Sequence, residues 1–159
     1  MDHAAARPDS TNRLALAATT HCLTGCAIGE VLGLVIATWL GWHDVPSALL
    51  AIVLAFVFGY ALTIRPLLAD GMPIRQAGRL AVASDTLSIA TMEVVDTVIV
   101  LVIPGAMAAG LLDPLFWGSL VLALAIAGVV AFPVNRWLIA RGRGHALVHE
   151  VHTGDHGSM

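Results

Sequence analysis

Residues 18–41 form an apolar run whose only formally charged member is Glu30. A helix over this run rises about 36 Å at 1.5 Å per residue, enough to cross the hydrocarbon core of a bilayer. Three further runs, 46–64, 81–103 and 114–132, are set off by short segments carrying Pro, Gly, Asp or Arg. With 58% hydrophobic and 12% charged residues and a mean hydropathy of +0.85, the chain is too apolar for a soluble domain of 159 residues. The pattern predicts an all-α integral membrane four-helix bundle, one domain over 18–141. A polar segment, 1–17, with an N-cap at Asp9 or Ser10, precedes it, and a His-rich tail, 142–159, follows. The first run is too long for the apolar part of a signal peptide and has no Ala-x-Ala-like cleavage site, so it is expected to be retained. Its partner is the lipid bilayer.

The positive charge is all arginine. Arg7 and Arg13 precede the first span, Arg65, Arg75 and Arg79 lie between the second and third, and Arg136, Arg141 and Arg143 follow the fourth. The other two connections have none, so both termini are expected in the cytoplasm. A formal net charge of −3 without lysine carries no nucleic-acid footprint. No phosphate-cradling glycine loop, nucleophile elbow or zinc-protease helix is present, so enzyme activity and a nucleotide cofactor are not expected. Haem is not expected either, because His21 is the one histidine within a span.

The informative groups lie inside the spans. On the first, Cys22, Cys26 and Glu30 follow i, i+4, i+8, and Gly25, Gly29 and Gly33 form an adjoining ridge at the same spacing. The glycines are read as the surface on which the third span approaches. On that third span Asp85, Ser88, Met92 and Asp96 make one stripe with Glu93 on its flank. Glu30 and Glu93 each sit about 12 residues into spans of the same direction, near mid-bilayer. An ionised carboxylate there costs on the order of 2.5–3.5 kcal/mol, and no Arg or Lys lies within the spans to pair with it. Glu30, Glu93 and Asp96 must therefore be protonated, bound to a cation, or held in buried hydrogen bonds. The second span is almost wholly apolar and is read as facing lipid.

Thiolate, imidazole, thioether and carboxylate from His21, Cys22, Cys26, Met92 and Asp96 suit a soft or borderline ion, copper or zinc. Against that, small buried thiols also serve as packing residues, and a Cys-x-x-x-Cys pair without a second ligand pair is a weak metal motif. The two cysteines, one turn apart on a helix, are poorly placed for a disulfide. In the tail, His145, His149, His152 and His156 share a helical face and form a second, weaker metal candidate beside a simply solvated segment.

Three blocks, His21-Cys22-x-x-Gly25-Cys26-x-x-Gly29-Glu30, Met92-Glu93-x-x-Asp96 and Pro133-Val134-Asn135-Arg136-Trp137-Leu138 followed by Gly142-Arg143-Gly144-His145, resemble a family of small bacterial four-span membrane proteins classed as a domain of unknown function. The resemblance implies a four-helix fold in a bacterial inner membrane, and copper-related labels on some relatives agree with the thiols. It supplies no catalytic residues. Three functions stay open at this level. The first is copper or zinc binding or transport along a seam between spans one and three. The second is proton conduction by the carboxylates alone. The third is an accessory or assembly subunit that docks a partner helix. Transport through four short helices calls for a homo-oligomer, a partner membrane protein, or a narrow path between the two polar helices.

Overall fold

The computed structural model describes residues 8–141, and in them four long helices. They are α1 (Pro8–Leu40), α2 (Val45–Ala69), α3 (Ile74–Val102) and α4 (Pro114–Ala140), with a 3₁₀ turn at Ala106–Ala108 between the last two. Among the described residues there is no strand. Three of the helices, α1, α2 and α4, are long and apolar enough to cross a membrane by themselves. The fourth, α3, holds its acids inward: Asp85, Ser88, Met92, Glu93 and Asp96 are buried, while Leu87, Val94, Val98 and Leu101 are exposed. A polar-inside, apolar-outside helix suits lipid rather than water.

Every helix overruns the span read from hydropathy, for local reasons. In α1 the helix already runs through Pro8, Asp9 and Ser10, the first described residues, rather than starting near residue 18, so Asp9 and Ser10 lie within it instead of capping it, and Ala15 and Thr19 are buried in the bundle. The segment 1–17 is thus helical from Pro8 onward. Arg65-Pro66 does not stop α2. Pro66 lacks only its own N–H, and Leu67, packed with Ala77, Ile64, Met72 and Leu80, carries the helix to Ala69. Gly71, at φ 84°, then makes the tight turn into α3. Likewise α4 continues through Pro133, because Asn135 and Leu138 are buried beyond it. Its start is capped by Asp113, whose side chain accepts from the Leu115 N–H at 2.9 Å.

The glycine ridge faces α2, not α3. A Cβ on Gly25 would lie 2.7 Å from Gly59 Cα, one on Gly33 2.6 Å from Ala51 Cα, and one on Gly29 would run into the backbone of Ala55. The reason is angular: Gly25 and Gly29 precede Cys26 and Glu30 of the polar column by one position, or about 100° around the helix, and Gly33 continues their ridge. A surface that far round meets a different neighbour. Leu23, one position beyond Cys22, turns the other way and fills the space over Gly128 of α4. With α2 and α4 on its two sides, the Cys22–Glu30 column points into the bundle, towards α3 on the far side.

The second helix is therefore two-faced. Leu49, Val53 and Val57 are exposed, while Ala55 and Gly59 are buried. Gly59 also receives Ile89 of α3, whose Cδ1 sits 2.5 Å from where a Cβ would be. Between α1 and α4 the closure is polar. Asn135 Nδ2 donates to Thr19 Oγ1 at 2.9 Å, and Thr19 Oγ1 donates to the Ala15 carbonyl at 2.8 Å, both buried.

Candidate functional site

Where α1 and α3 face each other inside the bundle, their polar residues pair at successive heights. Asp85 is at one end, near His21 of α1 and beside Thr63 of α2, with its Oδ1 accepting from Ser84 at 2.6 Å. Cys22 lies beside Ser88, Cys26 beside Glu93, and Glu30 beside Asp96 with Glu93 also close. From Asp85 to Asp96 the seam rises about 16 Å at 1.5 Å per residue, roughly half the hydrocarbon thickness. The side chains that build it are shielded: Cys26 is 0% exposed, Ser88 1%, Glu93 6% and Asp96 9%.

Hydrogen bonding in the seam is incomplete. His21 Nε2, Glu30 Oε1, Asp85 Oδ2, Ser88 Oγ, Glu93 Oε1 and Asp96 Oδ1 are buried without a protein partner. An unsatisfied buried polar atom costs about 1–3 kcal/mol, so a row of them marks places that protons, water or a ligand would fill. Two carboxyls placed side by side, such as Glu30 and Asp96, form a hydrogen bond only when one carries a proton and donates it. No basic side chain belongs to the seam except His21.

At the Glu30–Asp96 level the seam opens into a cavity of about 130 Å³. Glu30, Glu93, Asp96 and Thr97 form its polar floor, and Asp44 and Ser47 stand towards the α1–α2 connection. Asp44, at φ 50°, holds a left-handed backbone conformation rare outside glycine, which turns the chain between these helices. The cavity lies towards the end of the bundle that carries the α1–α2 and α3–α4 connections, and Asp85 lies towards the other end.

The five residues read as metal ligands are distributed along this ladder. His21 and Cys22 are at its foot, Cys26 is midway, and Asp96 is at the cavity. Met92 packs in one cluster with Cys22 and Cys26, together with Ile89, Ala127 and Ala131. Among the described residues, no three His, Cys, Asp or Glu side chains are grouped to hold a metal ion. The tail candidates His145, His149, His152 and His156 lie outside the described residues.

Sequence reasoning located the acids and thiols but missed Thr63, Asp44, Ser47 and Phe116. Thr63 is a lone hydroxyl in an apolar span, and that contrast was the available signal. The cavity residues come from two connections and all four helices, which no local pattern links.

No curated protein and no solved structure matches this chain. A family model does, over residues 11–144, which takes in all four helices and the seam. The chain belongs to the family described as a domain of unknown function, DUF4396.

Proposed function

We propose that the protein is a multi-pass protein of a bacterial cytoplasmic membrane that passes protons along the α1–α3 seam, with Glu30, Glu93 and Asp96 as the membrane-embedded carriers. The observation that carries this reading is the continuity of protonatable groups, from His21 and Asp85 through Cys22, Ser88, Cys26 and Glu93 to Glu30 and Asp96. Protons need no coordination shell, only groups in sequence that alternately donate and accept, and the orphaned oxygens along the seam are such acceptors. Arginine placement puts the Asp85 end on the cytoplasmic side and the cavity on the outer side. A proton entering from the cavity would be held at a Glu30 or Asp96 oxygen, pass to Glu93, and leave by way of Ser88, Asp85 and His21. The thiols of Cys22 and Cys26 link Ser88 to Glu93 in this row, and serine hydroxyls in their place would keep it continuous.

The test is proton uptake into liposomes holding the purified protein, driven by a potassium diffusion potential and read with an enclosed pH dye. Glu93→Gln is expected to lower the flux on the order of tenfold or more, since an amide does not exchange a proton. A flux equal to the parent's in Glu93→Gln and in the Glu30→Gln/Asp96→Asn double variant, both correctly folded, would overturn the reading.

A further inference from the structure

The cavity at the outer end of the seam has a composition that selects its occupant. Its lining carries four acids, Glu30, Asp44, Glu93 and Asp96, with three hydroxyl side chains; the rest is apolar, including Leu34, Ile52 and Phe116, and no Lys, Arg or His lines it. An anion would find no positive partner there. A neutral apolar molecule would leave carboxyl oxygens unpaired, at the cost noted above. Glu93 and Asp96, both more than nine-tenths buried, each keep one oxygen without a protein partner. A bare metal ion is poorly served, because the acids do not converge as a ligand set.

What remains is a molecule that carries its own N–H donors on an apolar body. At about 130 Å³ the space is close to the roughly 150 Å³ engineered cavity that takes a benzene ring. We propose that this cavity binds a small protonated amine, with its ammonium group on Glu93 and Asp96 and its hydrocarbon part against Leu34, Ile52 and Phe116. This inference rests on the seam as the working site and names the ligand class of its outer end. An ammonium seated on the same oxygens that hold a proton competes with it, so amine binding and proton binding exclude each other.

The probe is benzylamine, with benzyl alcohol as its uncharged counterpart of nearly equal size and sodium chloride as the plain cation. Binding is read on the detergent-solubilised full chain by titration calorimetry and by the shift in unfolding midpoint. Benzylamine is expected to bind and to release protons on binding, seen as a heat that depends on the buffer's ionisation enthalpy. Benzyl alcohol at the same concentration is expected not to bind, and Asp96→Asn to weaken the amine at least tenfold. A cavity-filling change, Ala48→Leu, should remove binding as well; Ala109→Leu, from the α3–α4 connection, provides a second filling variant if the first does not fold. Equal binding of alcohol and amine, displacement by sodium at equal concentration, or amine affinity unchanged in Asp96→Asn would each overturn the inference. Because proton flux is measured separately in liposomes, loss of amine binding with a flux still sensitive to Glu93→Gln would reject the amine site and leave the proton path standing.

Discussion

Gly25 of α1 and Gly59 of α2 meet backbone to backbone, so closely that a Cβ on the first would stand 2.7 Å from the Cα of the second. This contact, repeated one and two turns further on at Gly29 with Ala55 and Gly33 with Ala51, sets how near α2 comes to α1. In lipid, where apolar side chains gain nothing by leaving their solvent, close backbone packing of this kind is what holds helices together. It also fixes the rotation of α1 that turns Cys22, Cys26 and Glu30 into the bundle.

Gly29→Val is accordingly expected to destabilise the fold by about 3 kcal/mol or more, because the obstacle is backbone that does not yield. Gly78 in α3 has open space where a Cβ would go. There Gly78→Ala is expected to be neutral or stabilising by up to about 1 kcal/mol, from helix propensity alone. Unfolding midpoints of the two variants in the same detergent check both, and equal midpoints would contradict the packing described.

The Asn135–Thr19 hydrogen bond ties the end of α4 beyond Pro133 to the first turns of α1. Asn135→Ala removes the donor and leaves Thr19 still bonded to the Ala15 carbonyl. Thr19→Val strands the buried Asn135 amide. The second change is therefore expected to cost more, about 1–3 kcal/mol against about 1 kcal/mol, although the residue is nearly isosteric. Chemical unfolding of both variants and of the double variant gives the coupling between them.

Cys22→Ser/Cys26→Ser separates protons from metal. On the proton reading the double variant keeps its carriers and its flux stays within about threefold of the parent, the change reflecting repacking of two small buried side chains. Elemental mass spectrometry on the same preparations supplies the counter-case. Copper or zinc near one per chain that vanishes with the thiols, together with lost flux, would replace protons by metal as the transported species.

Much of the site was legible in the sequence because membrane helices obey a simple spacing rule. The stripe Asp85, Ser88, Met92, Asp96 lies on one helical face, and the cost of charge in lipid sends that face inward. Helix ends were less legible. Pro66 and Pro133 read as terminators, yet the tertiary contacts of Leu67 and Asn135 outweigh the single hydrogen bond that each proline removes.

The sequence by itself determined that the chain enters lipid as helices and that its acids, thiols and glycines occupy defined faces, since both follow from hydropathy and a 100° repeat. Only the tertiary structure decided which neighbour each face meets. The glycines took α2 and the Cys22–Glu30 column took α3, because adjoining columns on one helix point in directions about 100° apart and a bundle offers a different partner in each. The cavity over Glu30, Glu93 and Asp96 was likewise decided there. Its walls are drawn from residues as far apart as Leu34 and Phe116, and folding alone brings them together.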